Sequence, residues 1–166
     1  PLCVSKQIIR EAEKFGYVVK PARSEDDIGV RGVYVTNYEI LHNINCSVFA
    51  GVVLDESSIL KGLNGKLRTQ ITECFSRTPY RLSASATPSP NDYMELGTQC
   101  EFLGIMSQTE MLATFFIHDG ADTAKWRLKG HGQRKFFEWL ASWAVIMRDP
   151  SIFGFEEKPK LPPLKI

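Results

Sequence analysis

Residues 48–56 read Val-Phe-Ala-Gly-Val-Val-Leu-Asp-Glu, an apolar run that ends in two acidic residues. Such a run is typical of a strand in a parallel sheet, where other elements cover both faces. Open parallel sheets bind their ligands beyond the carboxyl ends of the strands. The stretch therefore predicts a buried parallel strand over residues 48–54 that places Asp55 and Glu56 at the ligand-binding edge of a sheet.

Segments with helical and strand-like patterns alternate on both sides of this run. Helical spacing of apolar residues predicts helices over residues 5–15, 66–75, 93–103, 109–116 and 135–147, with a short helical turn at 38–41. Shorter runs bounded by turn residues predict strands over residues 17–19, 32–36 and 80–86. Strands that alternate with helices indicate an α/β fold with a mostly parallel sheet.

The composition is that of an ordinary globular protein. Of the 166 residues, 43% are hydrophobic and 23% are charged, which is enough apolar material for one domain with a core. No apolar run approaches the roughly 18 residues that a membrane span needs. We therefore expect a cytoplasmic protein with no membrane partner.

The four cysteines are widely scattered along the chain. Cys3, Cys46, Cys74 and Cys100 form no Cys-x-x-Cys pair, so neither a zinc site nor a dense disulfide framework is indicated. We expect reduced thiols, most of them buried.

The two acids after the apolar run have a catalytic and a bland interpretation. An aspartate there can hold a magnesium ion against the terminal phosphates of a nucleotide, while the following glutamate orients and polarises an attacking water. Alternatively Asp55 begins a loop and Glu56 caps the following turn, which is the better interpretation of an isolated pair. The motifs around the pair favour catalysis.

Four motifs occur in a fixed order along the first hundred residues. They are Pro1-Leu2 before the first helix, Thr-Asn-Tyr-Glu-Ile-Leu at 36–41, Asp-Glu-Ser-Ser at 55–58, and Ser-Ala-Thr-Pro at 85–88 followed by Asn91, Glu95 and Leu96. Together they resemble the second part of the first motor lobe of Swi/Snf-type superfamily 2 helicases, especially those carried by phages. Four motifs in order are more specific than any one of them.

The resemblance implies a partial RecA-like α/β lobe with a helical extension. It places the partial lobe at residues 1–103, the extension at 104–155 and a linker at 156–166 toward a second RecA-like lobe. It implies ATP and magnesium as cofactors and DNA as partner, with duplex DNA favoured as the track, in a bacterial or phage-infected cell.

The resemblance also assigns roles to particular residues. Asp55 would hold the magnesium ion and Glu56 would activate water, while Ser85, Ala86 and Thr87 would couple hydrolysis to the grip on nucleic acid. The alternative for the last three is a plain strand end whose hydroxyls satisfy turn amides.

Three further residues match positions where the family touches a nucleic-acid strand. Leu2 lies in the first motif, and Thr36 and Tyr38 could contact a phosphate and a sugar, which would position the strand without reading its sequence. Alternatively Tyr38 is half-buried at the start of a helical turn.

Of two positions near the acids, one departs from the family pattern and the other matches it. Ser58 stands where the family has a histidine that senses the coupling strand, so that contact is in doubt. Lys61 falls where the family usually has lysine.

A basic run follows the resembling part of the chain. Lys125, Arg127 and Lys129 alternate with Trp126 and precede His131, Arg134 and Lys135. Such a run can bind a nucleic-acid backbone and stack on bases, or it can be a solvated face. The net charge of +1 does not decide between them, because binding needs a local basic surface.

The phosphate-binding loop of such motors, Gly-x-x-x-x-Gly-Lys-Ser/Thr, does not occur in these 166 residues. The nearest imitation, residues 62–67, has short spacing and no hydroxyl, and a surface turn is expected there. We expect the chain to begin inside a larger protein that supplies the loop, and not to hydrolyse ATP by itself. The alternative function is a non-catalytic module that binds nucleic acid or protein.

Overall fold

The computed structural model describes residues 2–61, 65–89, 92–119, 122–147, 151 and 154. The chain divides into two compact units, Pro1–Arg127 and Leu128–Ile166. The linker predicted for residues 156–166 lies outside the described residues. Within the described ranges, no helix has the length and apolar character needed to cross a membrane.

The described helices overlap the ranges that the sequence predicts. They are α1 (Leu2–Lys14), α2 (Lys66–Cys74), α3 (Leu96–Leu103), α4 (Gln108–Phe115) and α5 (Gln133–Ala141). Short 3-10 turns stand between them, among them Tyr38–Asn43, Cys46–Val48 and Ser57–Lys61.

The strands form three pairs. The described strands are β1 (Val19–Pro21), β2 (Val33–Val35), β3 (Gly51–Leu54), β4 (Tyr80–Ser83), β5 (Phe116–Asp119) and β6 (Asp122–Leu128). Strands β1 and β2 are parallel, β3 and β4 are parallel with Gly51 opposite Tyr80 and Leu54 opposite Ser83, and β5 pairs with β6. The architecture is therefore mixed α/β with short parallel sheets, which agrees with the predicted class, while the RecA-like lobe stays a prediction.

One apolar core lies beneath the inner face of β3. Leu54 and Leu60 pack there with side chains from α2 and α3, and the buried members of the cluster are Leu41, Cys46, Leu54, Leu60, Ile71, Phe75 and Phe102. This packing fixes the end of β3, and hence the acids that follow it, over the two helices.

The prediction that β3 is covered on both faces is wrong. The strand begins at Gly51, since Cys46–Val48 form a 3-10 turn, and its residues alternate between inside and outside. Leu54 is buried, whereas Val53 is 65% exposed. The reason is that β4 is its one strand partner in the described ranges and the core lies on a single side.

The prediction that all cysteines are thiols is also wrong. Cys46 and Cys74 form a disulfide, with Cα atoms 5.4 Å apart, while Cys100 is a buried free thiol. The turn at Cys46 and the last residue of α2 meet in the core described above. Because 28 residues separate the two cysteines, no local spacing could reveal the pair.

Strands β5 and β6 occupy part of the region predicted as a helical extension. Residues 122–128 read Asp-Thr-Ala-Lys-Trp-Arg-Leu, so the basic and aromatic residues alternate with the period of a strand. The Trp126 ring lies against His118 of β5, with ring centroids 3.7 Å apart. The basic run therefore begins on a strand.

Candidate functional site

Asp55 and Glu56 directly follow β3 and lie beside the end of β4. The Ala84 amide donates to the Leu54 carbonyl at 2.9 Å, and the Ser57 amide donates to the Ala84 carbonyl at 2.9 Å. These bonds continue from β3 and β4 into the residues that follow them. The acid loop (residues 55–57) therefore lies against the beginning of the segment that contains Ser85, Ala86 and Thr87, called here the coupling segment.

Glu56 has a left-handed backbone, with φ of 52°, and is the one non-glycine residue in the described ranges with a positive φ. Such a conformation costs on the order of 1–3 kcal/mol in a non-glycine residue and persists where the surroundings fix it. Here the amide of the next residue, Ser57, is held by the Ala84 carbonyl. Strain of this kind is common at functional sites.

The acidic side chains remain open to solvent. Asp55 and Glu56 are both exposed, and Asp55 Oδ1 accepts a 3.1 Å hydrogen bond from the Glu56 amide. That bond orients the Asp55 carboxylate toward its own loop. Both carboxylates can therefore meet a ligand that arrives from solvent.

Tyr38 supports the acid loop through a hydrogen bond to its backbone. It begins the turn Tyr38–Asn43, is half-buried, and donates its hydroxyl to the Asp55 carbonyl at 2.5 Å. Burial, together with the negative charges of Asp55 and Glu56, raises the pKa of Tyr38 to about 12. Near neutral pH the hydroxyl is therefore a proton donor to the loop. Tyr38 is therefore half-buried at the start of a helical turn, and its contact with a nucleic-acid strand stays a prediction.

Lys61 joins the turn after the acids to the coupling segment. Its Nζ donates to Thr87 Oγ1 at 2.9 Å. Ser58, which stands at the family's histidine position, instead directs its hydroxyl to the Glu56 carbonyl at 3.4 Å. Lys61 therefore makes the side-chain contact between the two segments.

The coupling segment is not part of the strand predicted through residue 86, since β4 ends at Ser83. Ser85 Oγ accepts from the Thr87 amide at 3.2 Å, which is the turn-satisfying contact of the bland interpretation. Thr87 nevertheless receives Lys61. The Ser85 hydroxyl therefore satisfies a turn amide, and the coupling role of these residues stays a prediction.

Sequence reasoning missed Gln99. This residue of α3 is 4% exposed, and its Nε2 donates to the Ser57 carbonyl at 2.9 Å while its Oε1 accepts from Ser83 Oγ. The one available signal was a glutamine between Leu96 and Phe102 on a helix whose other residues are mostly apolar or small.

The residues predicted to bind nucleic acid are placed on several elements. Leu2 is the first residue of α1, and Thr36 is exposed just after β2. Lys125 lies within β6, Arg127 is exposed on the same strand, and Lys129 follows the strand. Tyr38, described above, contacts the acid loop.

The acid loop suits one kind of magnesium site. The described residues contain no group of three or more His, Cys, Asp or Glu side chains that could hold a metal ion. Magnesium bound with a nucleotide commonly uses one or two protein carboxylates and takes its other ligands from phosphates and water. An exposed Asp55 carboxylate at a strand end fits that arrangement.

Comparison with models of protein families, with curated proteins and with solved structures gives no match for this chain.

Proposed function

We propose that this chain is part of an ATP hydrolase stimulated by DNA, the back half of a RecA-like lobe of a helicase or translocase. One observation carries the proposal. The acid pair, with Glu56 in a fixed left-handed conformation, lies against the coupling segment at one end of two parallel strands. Open α/β sheets bind ligands at such an edge.

In this proposal the two carboxylates divide the chemistry. Asp55 would hold a magnesium ion, which would supply charge neutralisation for the phosphates of ATP. Glu56 orients the water that attacks the terminal phosphate and accepts its proton. Their exposure leaves both available to a nucleotide.

Coupling in this proposal runs through three contacts. The backbone bonds Leu54–Ala84 and Ala84–Ser57 hold the acid loop against the residue that precedes the coupling segment. Lys61, in the turn that follows the acid loop, contacts Thr87 of the coupling segment. A change at the phosphates that moves the acid loop therefore moves the coupling segment with it.

The proposal also includes contacts with DNA and two parts of the motor that this chain does not supply. Lys125, Arg127 and Lys129 would neutralise backbone phosphates, and Leu2, Thr36 and Tyr38 would touch the strand. A second RecA-like lobe of the same polypeptide and a phosphate-binding loop, which these 166 residues do not contain, would complete the motor.

A second candidate is a non-catalytic module that keeps the sheet and a nucleic-acid surface. The absence of the phosphate-binding loop from the sequence and Ser58 in the histidine position favour it. It predicts binding without hydrolysis.

The test is an ATP hydrolysis assay on the polypeptide encoded by the complete reading frame, with and without duplex DNA. We expect the reading frame to encode a Gly-Lys-Thr or Gly-Lys-Ser loop before Pro1 and the protein to hydrolyse ATP faster when DNA is present. A reading frame without that loop, or a protein that binds DNA without hydrolysing ATP, would favour the binding module.

A further inference from the structure

Gln99 links three elements through one side chain. It lies on α3, is 4% exposed, and bonds to the acid loop on one side and to the end of β4 on the other. The acid-loop partner is the Ser57 carbonyl at 2.9 Å, and the β4 partner is the Ser83 hydroxyl. A buried amide with both ends engaged is a fixed link.

The chemistry of the partners determines the orientation of the amide. A backbone carbonyl can only accept a hydrogen bond, so the Gln99 NH2 group must face Ser57. That leaves Oε1 to accept from Ser83, whose hydroxyl can donate. Of common side chains with this length, glutamine alone offers a neutral donor and acceptor together, so both bonds depend on this residue type.

The Ser57 peptide is the point at which the acid loop is held. Its amide is bound by the Ala84 carbonyl, and its carbonyl is bound by Gln99. Ser57 follows Glu56, whose left-handed backbone needs its neighbours to be fixed. Gln99 supplies a bond to Ser57 from outside the turn Ser57–Lys61.

The Ser83 contact lies on the other side of the site. Ser83 is the last residue of β4, directly before Ala84 and the coupling segment. The Gln99 amide therefore binds both the residue that follows Glu56 and the last residue of β4, which leads into the coupling segment.

We propose that Gln99 is a positioning residue that fixes the water-activating Glu56 relative to the coupling segment. The proposal rests on the catalytic role assigned to Glu56 above. Gln99 acts through the Ser57 backbone and does not touch the nucleotide.

The first test measures the local geometry in this chain by amide hydrogen exchange followed with NMR. We expect Gln99→Met to accelerate exchange of the Ser57 and Ala84 amides by about tenfold or more, because the Ser57 carbonyl loses the buried donor that ties it to α3. The exchange rates of the α1 amides should be unchanged. Equal protection of Ser57 and Ala84 in both proteins would overturn the proposal.

Gln108→Met is the matched control. Gln108 is a half-buried glutamine on the neighbouring helix α4, and its Oε1 accepts from Arg68 at 3.2 Å. The same chemical change there removes one hydrogen bond away from the acid loop. If Gln108→Met accelerates the Ser57 amide as much as Gln99→Met does, the effect is general loosening and the proposal fails.

The second test separates positioning from mere stability in the ATP-hydrolysing polypeptide. Well below the unfolding temperature, Gln99→Met should lower kcat by about tenfold or more with KM for ATP unchanged. Gln99→Glu, which keeps the acceptor for Ser83 but lacks the neutral donor to Ser57, should also lower kcat. A lower Tm with an unchanged kcat in both variants would leave Gln99 a structural residue only.

Glu56→Gln in the same polypeptide distinguishes the two proposals. If Glu56→Gln hydrolyses ATP like the unchanged protein, the role of the acid pair is wrong, and the exchange measurement still decides whether Gln99 holds Ser57. If Glu56→Gln is inactive while the Gln99 variants keep full kcat, only the present inference fails.

Discussion

Tyr38 and Glu56 show how single residues build the acid loop. Glu56 takes up a backbone conformation that few non-glycine residues adopt, and the Tyr38 hydroxyl supports the carbonyl of the preceding residue, Asp55. The loop is therefore held largely at its backbone, while both carboxylates stay exposed to solvent.

Replacing Tyr38 by phenylalanine tests that support. Tyr38→Phe should lower the free energy of unfolding by about 1 kcal/mol, because the Asp55 carbonyl loses a hydrogen bond in a half-buried position. Urea denaturation of the two proteins at pH 7 measures the difference. Equal midpoints and slopes would show that the hydroxyl contributes no stability.

The pH dependence of stability gives a second test of the hydrogen bond from Tyr38 to Asp55. The pKa of Tyr38 is raised from 10 to about 12 in the folded protein, first by burial and then by the charges of Asp55 and Glu56. The folded state thus holds this proton more tightly than the unfolded chain. The associated stability is complete below pH 10 and is lost as pH rises toward 12, and Tyr38→Phe should lack this decrease.

Some of these residues could be predicted from sequence and others could not. Asp55 and Glu56 follow an apolar run, so their position at a strand end could be inferred. The partners Tyr38 and Gln99 lie 17 and 42 residues from the atoms they bind. Bonds between residues so far apart depend on tertiary packing, and no local pattern indicates them.

At the scale of elements, a side chain of β4 holds the carboxyl end of α3. Arg81 of β4 donates to the Phe102 carbonyl at 2.9 Å, which satisfies one of the acceptors left open in the last turn of a helix. Gly104 ends the helix with φ of 72°. A β-carbon added at Gly104 would overlap Arg81 Nη2.

Gly104→Ala should therefore destabilise the protein by more than a backbone effect alone. Alanine at a positive φ costs about 1 kcal/mol, and the added clash with Arg81 should increase this. Gly16→Ala is the control, since Gly16 has φ of 78° and no atom within 4 Å of an added β-carbon. Thermal unfolding should show the larger loss for Gly104→Ala, and equal losses would mean that Arg81 moves aside freely.

The disulfide links the turn Cys46–Val48 to the end of α2. A crosslink closing a loop of this size should add roughly 3.5 kcal/mol to the free energy of unfolding by limiting the unfolded chain. Reductant should therefore lower the unfolding midpoint of the unchanged protein and leave a Cys46→Ala, Cys74→Ala double variant unaffected. Identical midpoints with and without reductant, together with no linked peptide in mass spectrometry, would contradict the disulfide.

The helices were predictable because their apolar faces repeat with a helical period, as in α1 and α5. The exposure of one face of β3 was not predictable. Val53 is apolar in the sequence whether or not another element covers it. Strand β6 could have been predicted, since residues 125–128 alternate basic and apolar side chains. Strand β5, which reads Phe-Ile-His-Asp, shows no such alternation.

At the scale of the molecule, the pair β3 and β4 exposes apolar side chains on its outer face. Val53 is 65% exposed, Tyr80 75% and Leu82 56%. Parallel strands usually have both faces covered. This exposure supports the proposal that the chain works as a portion of a larger lobe.

The basic run gives a prediction for the whole chain. Replacing Lys125, Arg127 and Lys129 together by glutamine should weaken DNA binding and reduce the steepness of its salt dependence, by about 0.9 in log–log slope for each phosphate that is no longer neutralised. Fluorescence anisotropy with labelled duplex DNA across a salt series measures this. A slope that does not change would assign these residues to a solvated face.

The central claim is that Glu56 activates water beside the coupling segment, and steady-state ATP hydrolysis by the Glu56→Gln variant of the complete polypeptide tests it most directly. The amide keeps the size of the side chain and removes the base, so ATP binding should persist while DNA-stimulated kcat falls by about a hundredfold or more. Turnover equal to that of the unchanged protein would contradict the claim.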